Sequence, residues 1–430
     1  MIRSAFLARL LALTLALPLS ALLAKEAPLR LSLDRPEAIY TTGETATFLL
    51  ESSAPGGTEI TWSASLDGHR KIQEGTEVAR GTAPSRVSLS LDQPGFLLLT
   101  ATVKGADGKV FTTHASAAFS PEQIPPSLPV PDDFDAFWDS QKKTLAAVPL
   151  EPVLTPVPLS APDEESLVAY DISVPTGETA VTGYFALPKN ATPKSLPAVL
   201  WVHGAGVRSS SLPAALNGAR DGFLSLDINA HGLPNGKPAD FYKEIAAGEL
   251  KTYRSDGNTS REAVYFRGMF VRLMRALDFL TNRPEWNGKI LAVSGHSQGG
   301  YQALAAGGLD PRVTFVAAGV PAGCDHTGMK ANRISGWPKI VSRTETGAVD
   351  EKTLEASRYV DAVNFAARCR AEGIFTVGFI DLTCPPTSVY AAYNRFAGPK
   401  RMLARPAMGH AQTEEIRAEF RAALLQHAGK

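Results

Sequence analysis

Lys289-Ile290-Leu291-Ala292-Val293-Ser294-Gly295-His296-Ser297-Gln298-Gly299-Gly300 passes from an apolar, β-forming run into a serine flanked by glycines, and then into the helix formers of residues 301–306. A strand that turns sharply into a helix strains the residue at the corner. That geometry is tolerated only where the neighbours are tiny, and Gly295 and Gly299 meet the requirement. The turn lifts a side chain clear of the sheet edge, so Ser297 is the candidate nucleophile. A bare G-x-S-x-G arises by chance; a strand before it and a helix after it give this one weight.

Outward from this turn, short buried-strand runs alternate with helical stretches, as in a parallel sheet with crossover helices. Residues 198–202 form a strand running into His203-Gly204, and residues 222–226 another that ends near Asp227. Apolar spacing predicts a helix over 264–281, strands over 313–320, 374–380 and 401–405, and a last helix over 413–427. Residues 233–263 are polar and break the alternation, and read as an insertion near the site, either a lid or an assembly surface.

A serine hydroxyl needs an adjacent base. In this architecture the acid and then the histidine follow the nucleophile along the chain. Of the histidines only His326, His410 and His427 come after Ser297. His427 closes the C-terminal helix, and His326 leaves too little chain for an intervening acid, so His410 is the expected base. Asp381 follows the strand at 374–380 and is preferred as the acid over Asp361 and Asp310. It would hold the His410 tautomer and stabilise its imidazolium. Two backbone N–H groups must meet the oxyanion: that of Gln298, and that of Ala205 in the loop His203-Gly204-Ala205-Gly206. His203 is expected to brace this loop. His231 and Trp337 are candidate substrate-binding residues. No metal ligand set and no cofactor are expected.

The first part of the chain has a different texture. Residues 28–120 carry short alternating runs at 29–33, 46–50, 60–64, 86–91 and 97–103. Turn signals separate them, among them Asp67-Gly68 and Ala106-Asp107-Gly108. This spacing predicts an immunoglobulin-like β-sandwich. Residues 121–131 hold five prolines and read as a stiff, extended linker; residues 132–430 would be the catalytic domain, opening with a helix over 133–147. Residues 1–24 have basic and then apolar segments and read as a signal peptide, which places the protein in the periplasm or medium with no membrane span once the signal is removed. Cys324, Cys369 and Cys384 show no zinc spacing and read as buried small hydrophobes, with one disulfide left open. Hydrophobic residues are 44% of the chain, enough for large cores, and Lys+Arg and Asp+Glu are 43 each, which argues against a nucleic-acid partner.

Residues 131–430 resemble the acetyl xylan esterase / cephalosporin C deacetylase family (carbohydrate esterase family 7), of the α/β-hydrolase fold. The resemblance rests on Pro131-Asp132-Asp133-Phe134, Arg275-Ala276-Leu277-Asp278, Gly295-His296-Ser297-Gln298-Gly299-Gly300 and Val320-Pro321-Ala322-Gly323. Its most specific part is Asp381-Leu382-Thr383-Cys384-Pro385-Pro386-Thr387, followed by Gly409-His410. It implies Asp381 as acid and His410 as base, a ring-like homo-oligomer, and an acetylated oligo- or polysaccharide as substrate. Two positions depart from the family pattern: Asn229-Ala230-His231 replaces Arg-Gly-Gln, and Ala205 replaces a tyrosine. The expected function is a secreted serine esterase that deacetylates carbohydrate. The alternatives are another α/β-hydrolase acting on different short-chain esters or peptides, and a non-catalytic glycan-binding protein on a decayed scaffold.

Overall fold

The computed structural model describes residues 28–430 apart from 82, 106 and 107. The expected signal peptide at 1–24 and most of the turn at 106–108 therefore lie outside the described residues. The larger body is a nine-stranded sheet in the order Lys400–Arg405, Glu372–Gly378, Phe315–Gly319, Trp286–His296, Leu196–Val202, Leu224–Ile228, Val181–Pro188, Leu167–Val174, Val153–Pro156. The first six strands run parallel and the last three antiparallel.

Alternation along each central strand divides its side chains between two helical layers. Leu200, Leu226 and Val293 enter the larger core with helices Tyr265–Thr281 and Gln298–Leu309. Their neighbours Val199 and Ala292 join Phe315 and Ile374 under Ile416, Phe420 and Leu424 of helix Glu414–His427. Both faces are covered, which is why the central strands read as continuous apolar runs rather than alternating ones. Helix Tyr265–Thr281 buries even Arg275, whose Nη2 donates to the carbonyls of Leu145 (2.6 Å) and Val148 (2.9 Å) at the end of helix Phe134–Ala146. That cation satisfies carbonyls which a helix end leaves unpaired.

Edge strand Val153–Pro156 leaves no signal in the sequence, because it is mostly exposed and carries no apolar period. Two boundaries shift from expectation. The strand expected at 222–226 is Leu224–Ile228, so Asp227 lies within it rather than after it. The strand expected at 374–380 ends at Gly378, and Asp381 sits in the turn beyond.

Residues 28–119 form a three-stranded antiparallel sheet (Leu29–Leu33, Ala46–Ser52, Ser85–Leu89) and a five-stranded one (Ile39–Tyr40, Val110–Phe119, Gly95–Lys104, Glu59–Leu66, Arg70–Val78). Phe48 and Leu50 of the first and Ile60, Trp62, Leu97 and Leu99 of the second share one buried cluster. The proline-rich segment after them is not a free spacer. It opens with a 3₁₀ turn at Pro121–Gln123, and Asn394 Nδ2 donates to the carbonyls of both Pro121 and Ile124 at 2.9 Å. Farther along, Asp325 Oδ1 accepts from Ser127 N (2.9 Å), and Arg358 donates to Pro129 O (3.0 Å). Among the described residues no helix is long and apolar enough to cross a membrane.

Candidate active site

Ser297 caps the junction of strand Trp286–His296 and helix Gln298–Leu309 with φ 61° and ψ −121°, a left-handed φ that non-glycine residues rarely adopt. The flanking glycines are required sterically. A Cβ on Gly295 would lie 2.4 Å from Gly299 C, and one on Gly299 would lie 2.2 Å from Val202 O. Ser297 N donates to Gly319 O (2.8 Å), and Ser297 O accepts from Ala322 N (3.1 Å), so the corner is pinned to the neighbouring strand end.

The three residues expected to act together do meet. Ser297 Oγ lies 2.9 Å from His410 Nε2, and His410 Nδ1 lies 2.7 Å from Asp381 Oδ2. Asp381 is fully buried, and its Oδ1 accepts from the N–H groups of Thr383 (2.8 Å) and Cys384 (2.9 Å). Those bonds hold the carboxylate plane toward the imidazole. The chain hydroxyl–imidazole–carboxylate can pass the serine proton to His410 while Asp381 faces the resulting imidazolium. The rejected histidines lie elsewhere. His427 pairs with Glu372 Oε2 (2.8 Å) and Thr314 Oγ1 (3.1 Å), and His326 Nε2 faces Tyr301 Oη (3.3 Å). Asp361 caps helix Ala362–Ala366, and Asp310 pairs with Arg312.

Asp381, Cys384 and His410 also form the one group among the described residues whose donor atoms are close enough to hold a metal ion. The carboxylate oxygens are already engaged by two N–H groups and the imidazole, and burial drives the Cys384 thiol well up toward its neutral form. The three thiols are all free and buried.

The loop at 203–206 lies beside the nucleophile: a Cβ on Gly204 would be 3.7 Å from Ser297 Cβ. Ala205 is exposed, and Gln298 is fully buried at the first turn of its helix, where a backbone N–H has no intrahelical acceptor. His203 braces the loop as expected. Its Nδ1 donates to Gly204 O (2.7 Å) while Nε2 accepts from Ala230 N (3.0 Å). That pairing requires a neutral ring, and burial, with the nearby Arg208 charge, pushes His203 down to about 4. Asn229 completes the brace by donating to Arg208 O (2.6 Å) and accepting from His231 N (2.9 Å).

His231 is buried rather than open to a ligand. Its Nδ1 shares a 2.7 Å bond with the Tyr265 hydroxyl, and burial pushes its ring down to about 3, helped by the Arg272 charge. Trp337 is half-buried against Phe266 and Tyr253. Both belong to an aromatic cluster centred on Tyr253, whose hydroxyl donates to Gln298 Oε1 (2.9 Å). Tyr253 comes from the stretch read as an insertion, and motif reasoning missed it. Its signal was compositional, as the sole aromatic between residues 243 and 264. An aromatic in so polar a run must find a core, and this one finds the residue next to Ser297.

Residues 123–427 match the acetyl xylan esterase (AXE1) family. The chain belongs to the acetyl xylan esterase family. It is 34% identical to acetyl esterase Axe7A of Xylanibacter ruminicola over 337 residues, covering 76% of this chain and 73% of that one. Among solved structures it resembles an acetyl xylan esterase from Paenibacillus sp. R4, with TM-score 0.60 and 26% identity over 72% of this chain and 98% of that one. Acetyl xylan esterase 1 from Thermoanaerobacterium sp. JW/SL YS485 shares the fold, with TM-score 0.58 and 21% identity over 71% of this chain and 97% of that one. Like the rest of the family, the protein is a carboxylic ester hydrolase with an α/β-hydrolase body.

Proposed function

We propose that the protein is an exported serine esterase that removes acetyl groups from carbohydrate. Ser297 Oγ attacks the ester carbonyl as His410 takes its proton, and the backbone N–H groups of Gln298 and Ala205 receive the oxyanion. His410 then gives the proton to the departing sugar oxygen, leaving an acetyl-enzyme. Water, deprotonated by His410, attacks this ester; acetate leaves and Ser297 regains its proton. The observation that carries this reading is the unbroken chain from Ser297 Oγ through His410 to Asp381, at 2.9 and 2.7 Å, in a member of the acetyl xylan esterase family. The acetylated-saccharide substrate follows from the names of the relatives, and export from the leader composition of residues 1–24. Residues 28–120 are read as an immunoglobulin-like sandwich attached to the catalytic body.

The test is acetate release from a panel of acetylated oligo- and polysaccharides beside short and long p-nitrophenyl esters, with Ser297→Ala as blank. Release from a glycan is expected, and the variant should fall by about 10⁴-fold or more, as triad nucleophiles do. Near-wild-type turnover in Ser297→Ala would sink the nucleophile assignment. Cleavage of short esters with no glycan deacetylated would move the substrate away from sugars.

A further inference from the structure

The turn Asp67-Gly68, between strands Glu59–Leu66 and Arg70–Val78, presses on the segment that follows Asp381. A Cβ on Gly68 would lie 2.9 Å from Leu382 Cδ2. Asp67 is 5% exposed, yet its Oδ1 makes no hydrogen bond. An acceptor abandoned in this way costs about 1–3 kcal/mol and calls for a reason. It lines a cavity of about 690 Å³, within the roughly 300–1,000 Å³ of small-molecule sites. One wall carries Arg70, Ile72 and Gln93 from the N-terminal sheets, and the other Asn332, Arg333 and Thr387 from the hydrolase body. Ile72 is 42% exposed, an apolar side chain at the rim of a polar cavity. Arg333 is held in place by Pro125 O (2.6 Å) and Asp325 Oδ2 (3.2 Å). Burial pushes the Asp67 carboxyl up to about 7, against the pull of Thr387 and Arg333.

We infer that this cavity is a saccharide subsite, holding sugar units of the substrate remote from the ester being cut. A buried carboxyl, guanidinium and amide donors, and apolar side chains such as Ile72 and Leu91 match what a sugar ring offers: hydroxyls that both donate and accept, and a face of C–H bonds. The contact of Gly68 with Leu382, next in chain to Asp381, puts the subsite on the acid side of the reaction centre. The assignment rests on the deacetylase reading above and extends it from a single acetylated unit to a chain.

The experiment compares the full chain with an Arg70→Ala, Asn332→Gly double variant. Arg70 is exposed and Asn332 sits at φ 56°, which glycine adopts freely, so neither change should disturb folding. The readout is kcat/KM on acetylated xylan divided by kcat/KM on p-nitrophenyl acetate, which cancels any loss of folded enzyme. The ratio should fall about fivefold or more through KM, the effect of losing one or two hydrogen bonds. An unchanged ratio, in an enzyme that does deacetylate xylan, overturns the subsite and leaves the esterase reading standing. If the wild-type chain releases acetate from no saccharide, the substrate reading fails, and the subsite fails with it.

Discussion

Asp381 lends itself to a substitution that separates chemistry from folding. An asparagine there keeps Oδ1 for the N–H groups of Thr383 and Cys384 and turns an amide toward His410 Nδ1. The backbone turn survives, but the imidazole is driven into the wrong tautomer. Asp381→Asn should therefore melt near the wild-type temperature while kcat drops by about 10⁴. A variant that retains a tenth of its turnover would show that Asp381 is not the acid. Gly295→Ala should behave in the opposite way. The added methyl meets Gly299 backbone at 2.4 Å, so soluble yield and melting temperature should fall together with activity. The Ser297, Asp381 and His410 set was legible from sequence because chain order and strand ends restrict it so tightly. The burial of His231 was not, since a lone histidine reads the same whether it faces a ligand or a tyrosine hydroxyl.

Among the elements, the segment at 233–263 shows where periodicity gives out. It holds a helix at Ala239–Ala247 and then a run of turns whose purpose is visible only in three dimensions, where Tyr253 reaches Gln298. Tyr253→Phe removes that donor and leaves Gln298 Oε1 buried without a partner, an expected loss of about 1–3 kcal/mol. Because Gln298 N–H is the proposed oxyanion donor, kcat should fall several-fold while KM for p-nitrophenyl acetate changes little. Equal kcat with a lowered melting temperature would make Tyr253 a packing residue only. The parallel strands and the helix Tyr265–Thr281 were readable because burial on both sheet faces and an apolar stripe leave clear patterns. Strand Arg70–Val78, exposed along most of its length, leaves none.

Across the whole molecule, the N-terminal sheets and the hydrolase body meet through more than a tether. Phe96 packs on Phe379 and Tyr390, with ring centroids 5.0 and 5.6 Å apart, and Asp67 lies buried where the two parts close. Its carboxyl is held near 7 by burial, above its value in an unfolded chain. The folded protein thus keeps a proton that the unfolded chain has released, so this contribution is complete below about pH 4 and is lost as pH rises through about 7. Asp67→Asn should raise the melting temperature by clearly more at pH 8 than at pH 5. An identical shift at both values would disconnect Asp67 from the pH response. The proline-rich stretch has its own consequence. Composition makes residues 121–131 look like the place where a protease would cut first, but their carbonyls are clasped by Asn394, Arg333 and Arg358. Elastase should leave this stretch whole until the hydrolase body itself unravels. The clasped connector works as a splint, and nicking it reports global unfolding rather than the swing of one part against the other.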